Sequence, residues 1–165
     1  MNRWGMSIGI AFLFALFPAS GENASQQQPS EQARSQAAAT SIQQTNDAFV
    51  QKIMQQIAGH EQEPAEKVFK NIQIMKTTPA ARFLTIMNVG YSRALGVSCT
   101  HCHVEEDFSS DDKRPKRAAR EMAVMHHGIN DQLAKMQNLD PNPQGHFINC
   151  STCHRGAVDP LQSDR

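Results

Sequence analysis

The chain has 165 residues, with 16 lysine and arginine side chains against 16 aspartate and glutamate side chains, so its formal net charge is zero. This length predicts one domain, and the neutral balance gives no electrostatic argument for a nucleic-acid partner. Aromatic residues make up only 6% of a chain that also holds four cysteines, which indicates that something other than large side chains fills the core.

The first 21 residues have the pattern of an export signal. An apolar run from Ile8 to Phe17 follows a weakly basic start, and Pro18 and the small residues 19–21 come after it. The run is too short to span a bilayer, which takes about 20 residues, and it suits the core of a signal peptide. We therefore expect residues 1–21 to be removed, the mature chain to lack a transmembrane segment, and the protein to work in the periplasm. An uncleaved N-terminal anchor is the alternative.

Residues 22–45 are predicted to form a flexible leader. They are rich in Gln, Ser, Ala and Thr and contain almost no large apolar side chain, so they cannot bury enough surface to offset the entropy of ordering. Apolar residues at helical spacing then begin at Phe49, after Asn46 and Asp47, which suit a helix cap. Gly59 is expected to end this first helix.

Three further helices are predicted, each opened by a proline. These prolines are Pro64, Pro79 and Pro115, and proline is favoured in the first turn of a helix. Gly96 is expected to end the second of the three. The apolar stripes contain, in chain order, Val68, Phe69, Ile72 and Met75; Phe83, Leu84, Ile86, Met87, Tyr91, Ala94 and Leu95; and Ala118, Met122, Met125, Ile129, Leu133 and Met136. No sustained alternating run predicts a strand, so the fold class is all-α, with short helices and loops.

All four cysteines lie in two copies of one pattern, C-x-x-C-H. The copies are Cys99-Thr100-His101-Cys102-His103 and Cys150-Ser151-Thr152-Cys153-His154. The pattern is the attachment signature of c-type haem, because two thiols at this spacing reach the two vinyl groups of one porphyrin and the adjacent histidine becomes an axial iron ligand. We therefore expect two covalently bound haem c groups, whose apolar rings form much of the core of a domain at residues 46–158. Residues 159–165 are expected to be a short tail.

Other uses of the cysteines explain the pattern less well. Two C-x-x-C pairs could form a zinc-binding module through four thiolates, but zinc gives no reason for a histidine directly after each pair. A thioredoxin-like dithiol requires a βαβ surrounding that the sequence does not predict. Disulfides within each pair would close very small loops and would stabilise the fold little.

A second axial ligand decides whether a haem iron is closed, as in electron carriers, or open to small molecules. Met87 is the strongest candidate at the first haem, because it lies 12 residues before Cys99 on the helix that leads into the motif. Spacing does not choose a ligand for the second haem. The candidates are Met122, Met125, Met136, His126 and His127. The alternative for each methionine is core packing, and for each histidine a surface position.

The chain resembles the cytochrome subunit of the bacterial photosynthetic reaction centre. The resemblance is carried by the stretches Val68-Phe69-Lys70-Asn71-Ile72-Gln73, Leu95-Gly96-Val97-Ser98-Cys99, Ala119-Arg120-Glu121-Met122 and Cys153-His154-Arg155-Gly156. Members of that family clasp each such haem with a helix that supplies a methionine ahead of the attachment motif. The resemblance therefore implies Met87 as a ligand of the first haem and Met122 as a ligand of the second.

Two departures from the family pattern limit what the resemblance implies. The reaction-centre subunit carries four haems, whereas this sequence has two attachment motifs and so resembles one half of it. Many members are lipid-anchored through a cysteine near the N-terminus, and no cysteine lies near the expected cleavage site. Direct reduction of a photo-oxidised chlorophyll pair and a lipid tether are therefore not predicted from the resemblance.

A basic stretch lies between the two motifs. Its members are Lys113, Arg114, Lys116, Arg117 and Arg120. It is interpreted either as a docking patch or haem-propionate counter-charge, or as the solvated flank of a helix, and exposed charges of this kind act mainly on association rates. Arg155, directly after the second axial histidine, is the better candidate for a propionate partner.

These features predict an electron-transfer protein and not an enzyme. The two haems would exchange electrons with redox partner proteins, namely a soluble donor and a membrane complex such as a reaction centre. Histidine–methionine ligation favours relatively high potentials. The alternative from another class is a two-haem peroxidase or reductase, which requires one open iron.

Overall fold

The computed structural model describes residues 30–162. The export signal predicted for residues 1–21, the first part of the leader and the last three residues of the tail lie outside this range. The described chain is helical, and its one β-bridge, between Pro64 and Pro79, is isolated, so the all-α prediction is confirmed. In this range no helix is both long enough and apolar enough to cross a membrane.

The helices follow one another in a simple order. They are α1 (Glu31–Gln56), α2 (Ala65–Val68), α3 (Ala80–Thr85), a π-helix (Ile86–Ser92), α4 (Arg93–Leu95), α5 (Cys99–Cys102), α6 (Arg114–Leu133), α7 (Cys150–His154) and a final 3-10 turn (Pro160–Gln162). Only α1 and α6 are longer than two turns. Many of the described residues lie in the loops between the short helices, as the sequence predicts.

Helix α1 corrects the predicted flexible leader, because residues 31–45 are its first four turns. Ser30 caps the helix by accepting a hydrogen bond from the backbone of Ala33 at 3.2 Å, and Glu31 places a negative charge in the first turn. Alanine and glutamine are good helix formers even where no apolar face is buried. Residues 31–45 were not predicted as helix because they lack an apolar stripe, yet they extend α1 as a polar helix.

The second predicted helix is wrong beyond Val68. Phe69 is extended, with φ −111° and ψ 149°, and Asn71 and Met75 have φ values of 58° and 53°. Such left-handed residues cannot continue a right-handed helix. The chain instead forms a loop whose two ends meet, because the backbone N–H of Ala65 donates to the carbonyl of Thr78 at 2.8 Å.

The third predicted helix is confirmed in extent but not in type. Residues 80–95 are helical without a break, and Gly96 ends them in the left-handed conformation at φ 65°. The middle of the run, residues 86–92, is a π-helix. Pi-helical turns are rare, and those that do occur are often found at functional sites. This one contains Met87.

The fourth predicted helix is confirmed, with Pro115 in its first turn. It ends at Leu133, so Met136 lies beyond the helix and not on its apolar stripe.

The apolar core of the described chain is small. It centres on Ile57, Ala80 and Leu84, against which Val50, Ile53, Met54, Val68 and Phe69 pack. A core of this size leaves room beside it for a large apolar group.

Candidate functional site

A cavity of about 570 Å³ lies beside this small core. Its volume falls within the range usual for sites of bound small molecules and cofactors. Side chains from α1, the loop after α2, the 80–95 helical run, α5 and α6 line it. Its apolar wall includes Phe49, Val50, Ile53, Val68, Phe69, Ile72, Phe83, Leu84, Leu95 and Phe108. The cavity also contains Cys99, Cys102, His103 and Met87 in its lining.

The first C-x-x-C-H motif forms the one-turn helix α5 and opens onto this cavity. Asn46, in the middle of α1, fixes where that helix begins. Its Oδ1 accepts a hydrogen bond from the backbone N–H of Cys99 at 2.9 Å, and its Nδ2 donates to the carbonyl of Val97 at 3.1 Å. Asn46 is only 1% exposed, so both bonds are shielded from water. The residue predicted as a helix cap is therefore a buried clamp on the attachment motif.

The imidazole of His103 is held by its Nδ1 nitrogen. This atom lies 2.8 Å from the carbonyl oxygen of Phe108, and because a carbonyl only accepts, Nδ1 carries the proton. The Nε2 nitrogen then keeps the lone pair that a metal ligand needs. The Phe108 ring stacks on the imidazole with centroids 4.9 Å apart, which fixes the orientation of the His103 ring.

Electrostatics keep this imidazole neutral. Burial lowers the pKa of His103 and outweighs the hydrogen bond to Phe108, which raises it. The positive charges of Lys116, Arg120 and Lys113 lower the pKa further. Neutral imidazole is the form that binds iron, so the surroundings favour the ligand form of His103.

The second motif forms helix α7, which has its own side-chain cap. Asn149 caps it through a reciprocal pair of hydrogen bonds with Thr152. The Nδ1 nitrogen of His154 lies 3.0 Å from the carbonyl oxygen of Ala157, so its Nε2 also keeps the lone pair. Both motifs therefore present a cysteine pair and an imidazole anchored by a nearby backbone carbonyl.

Helix α6 is fastened to the segment that leads into the second motif. Asn130 accepts from the backbone N–H of Ile148 at 2.8 Å and donates to the carbonyl of Ile148 at 3.1 Å. His126 lies 2.8 Å from the same carbonyl through Nε2. This hydrogen bond gives His126 a structural partner, which favours the methionines of α6 over it as ligands of the second site.

Large apolar side chains are exposed around this fastening. On α6, Met122 is 41% exposed and Met125 is 51% exposed, and Phe147, just before the second motif, is 61% exposed. Met136 and Val124 are exposed as well. The two cysteines and the histidine of the second motif thus stand near an apolar surface without a closed wall, in contrast to the first site.

The residue after the second motif contacts the helical run that precedes the first. The N–H of Gly156, which follows the second motif, donates to the carbonyl of Ala94 at 2.9 Å, and α7 packs against α4 and the π-helix. Tyr91 of the π-helix lines the cavity and lies close enough to Cys150 for that thiol to affect its pKa. The helical run 80–95 therefore joins the two sites.

Three of the four cysteines, Cys99, Cys102 and Cys150, are partly shielded from water, whereas Cys153 is exposed. Burial raises the pKa values of Cys99, Cys102 and Cys150, which disfavours the thiolate needed for a reactive dithiol or for zinc. Between residues 30 and 162, no three His, Cys, Asp or Glu side chains come together as a metal site. The two cysteine pairs accordingly do not form one four-thiolate site in this structure.

The basic stretch divides into two parts with different surroundings. Lys116 and Arg120 line the first cavity, and Lys116 is buried. Lys113 donates to the carbonyl of Thr100, and Arg117 to those of Asp111 and Asp112. A uniformly solvated helix flank is therefore wrong for Lys116. Neither its burial nor the role of Asn46 leaves a sequence signal, because both depend on contacts between distant segments.

These features define a c-type cytochrome: two C-x-x-C-H helices, each with an imidazole anchored through Nδ1 to a backbone carbonyl, in a small helical fold with an apolar cavity. A family profile described as photosynthetic reaction centre cytochrome C subunit matches residues 21–163. The chain belongs to this family, and it is accordingly a cytochrome with covalently bound haem c.

Individual relatives agree with this assignment. Cytochrome c-554 of Chloroflexus aurantiacus is 37% identical over 92 residues, which are 56% of this chain and 22% of that protein. The photosynthetic reaction center cytochrome c subunit of Rubrivivax gelatinosus is 38% identical over 80 residues, which are 43% of this chain and 22% of that protein. The matched region thus spans about a fifth of the length of each relative.

The residues of the first cavity fit haem c. Two thiols at the spacing of the porphyrin vinyl groups, a neutral imidazole and a methionine all line one apolar cavity, which is the donor set that such a haem requires. The second motif supplies the same thiols and imidazole beside exposed apolar side chains.

Proposed function

We propose that the protein is an exported, periplasmic cytochrome with two covalently bound haem c groups that carries electrons. The observation that carries this proposal is the repeated geometry of the two motifs. In each, Nδ1 of the histidine is tied to a backbone carbonyl, at 2.8 Å for His103 and 3.0 Å for His154. The same arrangement, built twice and using every cysteine of the chain, supports two haems rather than one.

At the first haem, Cys99 and Cys102 would form the thioethers, and His103 and Met87 would be the axial ligands. Met87 lies in the cavity lining, and its position in the π-helix differs from that of an ordinary core methionine. The apolar wall would exclude water from the iron and its ligands, which favours an electron carrier with a closed coordination sphere.

At the second haem, Cys150 and Cys153 would form the thioethers, with His154 and Met122 as axial ligands. Large apolar side chains stay exposed on α6 and before α7, and a porphyrin ring would cover them. The hydrogen bonds of Asn130 to Ile148 hold α6 against the entry to the motif. Met122 follows from the family resemblance, and Met125, which is also exposed on α6, is the alternative.

Bound haem c supplies a reversible one-electron couple at its iron. The chain's contribution is to hold the two groups near each other, and the hydrogen bond between Gly156 and Ala94 supports a short separation. The protein would take electrons from a soluble donor and pass them to a membrane complex. One of the relatives is named as a reaction-centre subunit, and this name supports a reaction centre as that complex.

A haem assay on the exported protein tests the proposal. The pyridine haemochrome spectrum is expected to give two covalent haems per chain. Met87→Ala and Met122→Ala are each expected to remove one methionine-to-iron charge-transfer band and to leave the other. Met54→Ala is the matched control, because Met54 packs against the core and does not line the cavity, so both bands are expected to stay.

Four results would count against parts of the proposal. One haem per chain would contradict the two-haem state, and zinc without haem would contradict the class. A wild-type protein that binds cyanide rapidly at one iron would favour the peroxidase or reductase alternative. An unchanged spectrum in either methionine variant would refute that ligand, and Met125→Ala would then be expected to change the second haem.

A further inference from the structure

Lys116 is a buried lysine in the wall of the first cavity. It is only 9% exposed, and its Nζ donates to the carbonyl oxygens of Phe108 and Ser109, both at 2.9 Å, and of Ser110 at 2.7 Å. A lysine is rarely buried unless its charge is matched. Here three successive carbonyls surround the ammonium group, so Lys116 fixes the course of the loop at residues 108–110.

One of these carbonyls also holds the axial histidine. The oxygen of Phe108 accepts from Nδ1 of His103 at 2.8 Å and from Nζ of Lys116 at 2.9 Å. A carbonyl that already accepts from an ammonium group has less electron density to offer to the imidazole N–H. The imidazole is then a weaker electron donor through Nε2, because the bond at its other nitrogen sets its basicity. A weaker donor stabilises ferric iron less.

The surrounding charges act in the same direction. The carboxylate of Asp111 lies 2.9 Å from Arg120 and 3.3 Å from Lys116, so one negative charge faces two positive ones. Both cations line the cavity. A net positive charge beside a partly buried redox centre favours the reduced state, which has the lower positive charge.

We propose that Lys116 is a positioning residue that raises the reduction potential of the first haem through the Phe108 carbonyl and His103. This inference rests on the proposed function, since it needs a haem at the first site. It goes further in assigning a tuning role to a side chain that does not contact the iron.

Spectroelectrochemical titration of the haem-loaded full-length protein tests the role of Lys116. Lys116→Met is expected to shift the midpoint potential of one haem downward and to leave the other nearly unchanged. The Met87→Ala spectrum identifies which midpoint belongs to the first haem. Arg117→Gln is the control, because it removes a positive charge from an exposed position one residue away on the same helix. Its shift is expected to be clearly smaller.

Two further variants keep the test decisive if Lys116→Met does not fold. Lys116→Arg keeps the charge and is expected to keep the wild-type potential, whereas Lys116→Gln is expected to lower it. Equal potentials in the wild type, Lys116→Gln and Lys116→Arg would overturn the inference while the haem assay still supported two haems. A wild-type chain without haem at the first motif would instead overturn the proposed function.

Discussion

Asn46 and Cys99 are 53 residues apart in the sequence and are joined by a hydrogen bond of 2.9 Å from the backbone of Cys99 to Oδ1 of Asn46. The Nδ2 atom of the same Asn46 side chain donates to the carbonyl oxygen of Val97 at 3.1 Å. Together the two bonds dock α1 onto the segment that enters the first attachment motif. Thioether formation requires both thiols to face one porphyrin edge, so the placement of this segment bears directly on haem attachment.

Removing this clamp is expected to destabilise the protein strongly. Asn46→Ala leaves the partly buried N–H of Cys99 and the partly buried carbonyl of Val97 without their partner, at a cost of about 1 to 3 kcal/mol in the free energy of unfolding. Urea unfolding of the haem-loaded protein measures this loss. Gln44→Ala, at an exposed position on the same helix, is the control and is expected to change stability by less than about 0.5 kcal/mol. Equal losses in both variants would contradict the clamp.

Local signals in the sequence located several helix ends correctly. Pro79 and Pro115 stand at the starts of α3 and α6, and Gly96 ends α4 in a left-handed conformation. These residues act through their own backbone preferences, which do not depend on the rest of the fold. The class of protein was also predicted from a local signal, the C-x-x-C-H pattern, and the family match confirms it. The haem ligands at each motif remain predictions.

Features that depend on distant contacts were not readable. Asn46 looks like a helix cap in the sequence, whereas it lies buried within α1 because a partner 53 residues away takes both of its polar groups. Asn71 and Met75 take left-handed conformations in a loop closed at its ends, although the sequence around them has helical spacing. The π-helix around Met87 likewise has no periodic signature of its own.

Gly96 permits the close approach of the two motifs. A Cβ atom at this position would overlap the carbonyl oxygen of Gly156 and lie 3.0 Å from its carbonyl carbon, and Gly96 also has a φ of 65°. Gly96→Ala therefore combines backbone strain with a clash against backbone, and we expect a loss of about 2 to 4 kcal/mol in the free energy of unfolding. Chemical denaturation and the haem absorbance spectrum measure the effect.

Gly59→Ala separates the two causes. Gly59 has a φ of 88°, but a Cβ atom there would meet nothing within 4 Å, so only the strain of about 1 kcal/mol is expected. The haem absorbance spectrum of this control should match that of the wild type. If the two glycine variants lost equal stability, the contact between the motifs would not require a glycine at position 96.

Asp111 is expected to make stability depend on acidic pH. Its hydrogen bond with Arg120, followed by those with Asn71 and Lys116, holds the pKa of this carboxyl far below its usual range. A folded-state pKa below the unfolded value gives stability that is present above about pH 4 and is lost as the pH falls below it. Urea unfolding from neutral to acidic pH should show a steeper loss in the wild type than in Asp111→Asn.

The control for Asp111 removes the same charge elsewhere. Asp131→Asn changes an exposed carboxylate near the end of α6, away from Arg120 and Lys116, and the acid dependence should stay close to that of the wild type. Parallel curves for the wild type and Asp111→Asn would show that the ion pairs in the cavity wall do not contribute to stability.

Tyr91 is expected to make stability depend on alkaline pH. Burial of the phenol raises its pKa to about 12. A folded-state pKa above the unfolded value of about 10 gives stability that is complete below pH 10 and is lost as the pH rises toward 12. The wild type should therefore lose up to about 2 to 3 kcal/mol more than Tyr91→Phe over this range, as measured by urea unfolding of the haem-loaded protein.

Lysine titration is common to both proteins, so the difference between them reports Tyr91, the only tyrosine of the chain. Identical alkaline losses would place the Tyr91 hydroxyl in water instead of between the two attachment motifs.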